Sequence, residues 1–216
     1  MATLQATLTP TADQTPVAVS VSAEEPSGAQ WVGRFLGSAS VTTLASPFRE
    51  AVSKFLDAVK AGGGSVHISA TFRPPERAYL MHWSWKIVKT GFDPRQVPSY
   101  PGDVIKIKWA HVSASGAFDQ QASVQGARAM VNSYGISGLN VAPALNSRHT
   151  LKLAIDMNIS WTGTLAINNA SGTAVSISSA PKTGMNSELH TVGASYGVIK
   201  FLGGSSDKPH WSNDGH

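Results

Sequence analysis

Apolar residues recur at spacings of three and four from Phe48 through Ala51, Val52, Phe55, Leu56 and Val59, the period of a helix with one face to bury. Ser46 stands ahead of them as an N-cap with Pro47 in the first helical position, and Gly62, Gly63 and Gly64 end the run, so a helix is predicted over 46–61. The period then falls to two. Val66, Ile68 and Ala70 share one face of a strand predicted over 65–72, and Pro74-Pro75 starts a second helix that reaches about Val88 with Tyr79, Leu80, Trp83 and Ile87 inward. Arg73 therefore falls at a strand-to-helix junction.

Residues 91–116 read as loop with one short strand at 104–109. Asp119 is placed to cap a helix lasting to Tyr134, with Gly135 where left-handed geometry is wanted. A strand over 153–161, a hairpin of 164–167 with 173–177, a short helix over 187–196 stopped by Gly197 and a last strand over 198–202 complete the pattern. Strands and helices mix without a regular βαβ repeat, which predicts an α+β fold with a mainly antiparallel sheet and helices packed on it. Residues 1–29, rich in Thr, Ala, Ser and Pro, show no sustained period and are expected to be a flexible tail, leaving 30–216 as one domain. The alternative for part of that tail is a strand at 16–21, where Val17, Val19 and Val21 alternate with small residues.

Composition narrows the chemistry. Charged residues are only 14% of the chain, against about 25% in an average globular protein, so few ionisable groups are available. Cysteine is absent, which excludes thiolate metal sites, a cysteine nucleophile and a disulfide framework. The net charge of +4 would help approach to an anionic polymer such as cell wall, but the basic residues are scattered without a run. Trp83, Trp85 and Lys86 alone do not define a basic groove, and no nucleic-acid partner is expected. No stretch of eighteen apolar residues occurs and the first thirty residues hold no Lys or Arg, so neither a membrane span nor a conventional secretory signal is expected. On that reading the chain is made in the cytoplasm.

Without cysteine, a metal site must come from His, Asp and Glu. Two clusters have the ingredients: Ser147-Arg148-His149-Thr150-Leu151-Lys152-Leu153-Ala154-Ile155-Asp156, and Asp207-Lys208-Pro209-His210-Trp211-Ser212. A hydrolytic zinc centre needs three protein ligands and an open fourth position, and two imidazoles with one carboxylate satisfy that. It also needs an uncoordinated carboxylate beside the attacking water. Asp207, three residues before His210, can ride on the same turn. The plainer alternative is that His149 and Asp156 form a buried hydrogen-bonded pair while Asp207 caps a turn. His67, His82, His111, His190 and His216 belong to no such cluster.

These residues resemble the zinc D-alanyl-D-alanine carboxypeptidases and L-alanyl-D-glutamate endopeptidases of bacteria and phages, whose fold is shared with lysostaphin-type peptidases and the hedgehog signalling domain. Ser147, His149, Ala154 and Asp156 fall in register with the family's S-x-H-x-x-G-x-A-x-D motif. Asp207, His210 and Trp211 match its second motif, an acid three residues before a histidine and then an aromatic residue. Ile68 to Arg73 is similar to a third, in which an arginine follows a strand. The resemblance covers roughly residues 46–215. It implies Zn2+ held by His149, Asp156 and His210, with Asp207 as general base and then acid. It also implies substrate contacts from Arg73, Ser147 and Trp211, Arg73 stabilising developing negative charge.

Two positions depart from the family. Its glycine three residues after the first histidine is Lys152, and a glutamine common five residues after the arginine is Ala78. The function implied is hydrolysis of amide bonds in peptidoglycan stem peptides. Without a signal peptide, the enzyme would act in the periplasm or cell wall as an endolysin released by lysis, or as an antibacterial effector injected by a delivery apparatus and opposed by an immunity protein. The alternative is a non-catalytic wall-binding module of a phage tail or secretion spike.

Overall fold

The computed structural model describes residues 24–216. It is an α+β fold of four helices, one four-stranded antiparallel sheet and two small two-stranded pairings. The candidate strand at 16–21 lies outside the described residues. Within the stretch read as a tail, β1 (Glu25–Pro26) pairs in parallel with β3 (Ile107–Lys108), and Ser27 is buried. The folded part therefore begins ahead of residue 30.

The first helix, α1 (Phe48–Ala61), buries Phe48, Val52, Phe55, Leu56 and Val59, the stripe that the period marks. Its start differs from expectation: Pro47 occupies the cap position and no side chain caps the helix. β2 (Ser65–Ala70) follows and leads through Arg73 into α2 (Pro75–Thr90), which begins on its proline as predicted. β3 is two residues within the predicted 104–109. Asp119 caps α3 (Gln120–Ser133) by accepting the Ala122 N–H, and Gly135 takes φ 68° just beyond it.

β4 (Ala154–Ser160), the hairpin of β5 (Leu165–Asn168) and β6 (Ala174–Ile177), and α4 (Ser187–Ser195) agree in type and place with the pattern. The last predicted strand shrinks to β7 (Ile199–Lys200). A further strand, β8 (His210–Ser212), occupies what reads in sequence as a turn.

The main sheet runs in the order β2-β4-β8-β7, every pairing antiparallel. Its two faces are unlike. Ile155, Met157 and Ile159 of β4 and Trp211 of β8 point into the principal core with Phe55, Leu189 and Val198. Side chains alternate across a strand, so Asp156, Asn158 and His210 belong to the other face. Gly193 of α4 permits the close approach over Trp211, since a Cβ there would come within 2.8 Å of the indole. A second core, built on Leu80, Ile87, Trp109 and Met130, joins α2 and α3, and Trp85 is buried in a third small cluster with Met81, Val131 and Ile136. Trp85 thus offers no face for base stacking. No helix among the described residues is long and apolar enough to cross a membrane.

Lys152 is the one non-glycine residue with positive φ (62°) among the described residues, in the turn that enters β4. Its ammonium lies 4.9 Å from the centre of the Phe72 ring and not in the cleft described below. The backbone here is thus of the left-handed kind that glycine suits best. Left-handed geometry costs a side-chain-bearing residue about 1–2 kcal/mol, part of which the entropy of an unfolded glycine and the lost cation–π contact offset. Lys152→Gly is therefore expected to raise the unfolding free energy by about 0.5 kcal/mol, read by chemical denaturation.

Candidate metal centre

Three stretches of chain bring ligand-type side chains together. His149 comes from the turn before β4, Asp156 from β4 and His210 from β8. Asp156 and His210 are direct cross-strand partners, so their side chains rise side by side from one face. His149 is brought over them by its turn, in which the Thr150 and Lys152 N–H groups bond to the carbonyls of Ser147 and His149, and by a bond from the Arg73 N–H to the His149 carbonyl. Nε2 of His149 lies 3.1 Å from Oδ1 of Asp156 and 3.2 Å from Nδ1 of His210, which is 3.1 Å from the same oxygen. Metal–ligand bonds of about 2.0–2.1 Å in tetrahedral Zn2+ sites set neighbouring donor atoms about 3.3 Å apart. The triangle already has nearly that size, so these three residues can hold a metal ion.

The hydrogen bonds on the outer nitrogens point the same way. Nδ1 of His149 faces the Thr71 carbonyl at 3.2 Å, and Nε2 of His210 faces the main-chain oxygen of His216 at 3.1 Å. Each contact requires the N–H on the outer nitrogen, which leaves the inner nitrogen of a neutral ring as a lone pair. Two lone pairs and a carboxylate oxygen then converge. A single proton among them leaves one repulsive pair, and a proton on each ring sets two N–H groups against each other at 3.2 Å. A cation between them satisfies all three donors, and outer N–H bonds to backbone carbonyls are the usual way of orienting metal-binding imidazoles.

Burial strengthens the arrangement. His149 and His210 are 3% and 6% exposed. Burial opposes charge on Asp156, but in the doubly protonated rings the inner N–H groups of His149 and His210 would donate to it, which overcomes burial and holds the carboxyl below the ordinary carboxylate range. Burial likewise opposes charge on His210, and the Asp156 hydrogen bond and negative charge raise its pKa nonetheless.

The centre opens into a cleft of about 460 Å³ that Arg73, Ser147, Asp207 and His216 also line. Asp207 ends a short 3-10 turn, Gly204–Asp207, and its carboxyl is pushed up by burial and by the negative charge of Asp156. Asp207 and His210 therefore share no single turn: the acid sits on the turn and the histidine on the following strand. Burial lowers the Arg73 guanidinium pKa while Asp156 and Asp207 hold it up, and no carboxylate lies within ion-pair distance of it among the described residues. Ser147 presents a buried Oγ without a protein partner.

Trp211 corrects an expectation. It is fully buried, tilted against Phe55 at 5.6 Å between ring centres and edge-on to His190, so it cannot wall the cleft. The alternation of β8 forces this, because His210 outward puts Trp211 inward. Ala78 is also fully buried and takes no part in the cleft.

Two contributors carry no sequence motif. The carbonyls of Thr71 and His216 orient the rings, as backbone groups that any residue can supply. Lys200, 5% exposed, donates to the carbonyls of His210 at 2.9 Å and Asp207 at 3.2 Å. It ties the turn bearing the acid to the strand bearing the ligand. His67 is exposed, and His82, His111 and His190 bond to the Pro143 carbonyl, the Ser27 hydroxyl and the Gly184 carbonyl. No family model, curated protein or solved structure matches the chain.

Because a proton competes with metal for His210, Zn2+ affinity is expected to fall about tenfold per pH unit below the raised pKa of that ring. His149→Ala should abolish stoichiometric binding. Calorimetric titration at several pH values checks both. Lys200→Met removes the ammonium from the Asp207 carbonyl and leaves the His210 carbonyl with the Phe201 N–H alone, and is expected to cost about 1–3 kcal/mol of stability. It should also weaken Zn2+ binding about tenfold, as read by competition with a chromophoric chelator.

Proposed function

We propose that the chain is a zinc-dependent peptidase that hydrolyses amide bonds in the peptide stems of peptidoglycan, within a fold of the hedgehog and D-alanyl-D-alanine peptidase type. The observation that carries this reading is the placement of the His149–Asp156–His210 triangle, Asp207 and Arg73 in one cleft. His149, Asp156 and His210 would hold Zn2+, which would supply a Lewis acid able to acidify water and polarise a carbonyl.

Asp207, anionic but weakened as an acid by its surroundings, takes a proton from the attacking water as the new C–O bond forms. It returns that proton to the amide nitrogen as the C–N bond breaks, so a carboxylic acid and an amine leave. The raised pKa makes the Asp207 carboxylate a stronger acceptor for the proton of the water. Arg73, desolvated and without a carboxylate partner, donates to the carbonyl oxygen as it gains negative charge. Lys200 keeps the acid in place through the backbone. The net charge of +4 favours approach to an anionic wall. The setting proposed is that of a phage endolysin or an injected antibacterial effector.

The test is digestion of purified sacculi by the zinc-loaded protein, with mass analysis of the new peptide termini. Asp207→Asn should retain Zn2+ and lower kcat by at least about 100-fold. In the unsubstituted protein held at saturating Zn2+, activity should fall at acid pH as Asp207 is protonated, because only the anion accepts a proton. The variant should lose that limb. Intact sacculi after treatment with protein holding one Zn2+ per chain would reject catalysis and leave a binding module.

A further inference from the structure

We propose that the Arg148–Asp214 ion pair is a positioning device for the metal centre, by which a single carboxylate keeps both histidine ligands in aim. The proposal rests on the reading of His149, Asp156 and His210 as metal ligands, and it adds two residues that supply no donor atom to the ion.

The two imidazoles depend on different parts of the chain. His149 projects from the turn before β4, whereas the ring of His210 is oriented by the His216 carbonyl. The bonds between β4 and the strand that bears His210 end at Asn213, whose N–H reaches the Leu153 carbonyl, so the sheet does not decide where the His216 carbonyl lies. Side chains fold residues 213–216 back instead. Ser212, fully buried, accepts the N–H groups of Gly215 at 2.8 Å and His216 at 3.0 Å. Oδ1 of Asp214 takes a second bond from the His216 N–H at 3.1 Å and one from the Ser212 hydroxyl at 3.2 Å. His216 is thus gripped at its N–H while its carbonyl faces His210.

The other oxygen of that carboxylate, Oδ2, receives the guanidinium of Arg148, and among the described residues Asp214 is the one side chain that pairs with it. Arg148 immediately precedes His149, and its own carbonyl accepts the Leu153 N–H at 2.8 Å, closing the turn from which His149 projects. Asp214 therefore divides its oxygens between the two ligands. Oδ1 aims His210 through His216, and Oδ2 holds the turn of His149.

The side chains of Arg148 and Asp214 are 32% and 30% exposed, so water screens the pair and its role lies in direction more than in stability. Direction is what a metal site demands, because a small rotation of either ring takes its lone pair off the ion. The Leu202 N–H bonds to the Gly215 carbonyl at 3.0 Å. That bond keeps residues 213–216 attached when Asp214 is changed, so that only their aim is lost.

The test is Zn2+ affinity, measured by competition with a chromophoric chelator, in Arg148→Met, Asp214→Asn and the double variant, with thermal unfolding of the metal-free proteins alongside. Each single substitution should weaken binding at least about tenfold. The double variant should bind no more weakly than the weaker single one, since both changes break one link. The sign in Arg148→Met separates aim from charge: loss of a cation beside the centre would by Coulomb attraction alone tighten the binding of a dication, so a weaker affinity reports geometry. Arg148→Lys, which keeps the charge and a donor, should restore affinity to within about threefold of the unsubstituted protein. The visible absorption of the Co2+-loaded protein, which follows ligand geometry, should change in Arg148→Met and return in Arg148→Lys.

Unchanged or tighter Zn2+ binding by folded Arg148→Met overturns the positioning role and leaves the metal centre standing. Where Arg148→Met does not fold, unchanged affinity in Asp214→Asn overturns the role in the same way. Failure of the unsubstituted protein to bind one Zn2+ per chain overturns the metal centre and this proposal together.

Discussion

The register of β4 against β8 is the constraint on which the rest depends. Asp156 faces His210 across the pair, and Ile155 faces Trp211 on the reverse side. A strand shifted by one residue exchanges its faces, which would drive Asp156 into the core and lift Ile155 and Met157 into water. The apolar residues of β4 and Trp211 therefore fix the ligands in position by having nowhere else to go. The energy that selects the register comes from the buried face. The chemistry is placed on the other face as a consequence.

What the register leaves unset is the third ligand and the orientation of the rings. His149 is held by a turn whose hydrogen bonds close between Ser147 and Lys152 and whose carbonyl receives the Arg73 N–H. The junction between β2 and α2 thus serves the centre twice, once through this backbone bond and again through the guanidinium. The carbonyls of Thr71 and His216 then commit each neutral imidazole to one tautomer, so the inner nitrogens face the centre as lone pairs. Ser212 accepts the N–H groups of Gly215 and His216, which brings the His216 carbonyl back over His210. Lys200 secures the last piece, the turn that carries Asp207.

The cleft has two kinds of wall. The sheet and the turn at Asp207 contribute charge, whereas residues 136–144 contribute apolar side chains. That apolar segment is tied to α2 by bonds from Trp85 to the Leu139 carbonyl and between His82 and the Pro143 carbonyl. Trp85 is consequently a support for the cleft from behind. An unpaired guanidinium near two carboxylates is poised to receive an anionic oxygen. Lys152 stays out of the cleft because its stem turns toward Phe72.

The sequence by itself determined the elements that have a long period: the apolar stripe of α1, the cap of α3 at Asp119 and the alternation of β4. It also marked His149, Asp156, Asp207 and His210 by the spacing of two His/Asp clusters, and Arg73 through the family resemblance. It did not reveal β8, since three residues are too short for a period and that strand exists only by pairing between β4 and β7. Nor did it show that Trp211 faces inward, since its side depends on which face of that strand is buried. Only the tertiary structure decided which ring nitrogens face the centre, because the deciding partners are the Thr71 and His216 carbonyls, and every residue has a carbonyl.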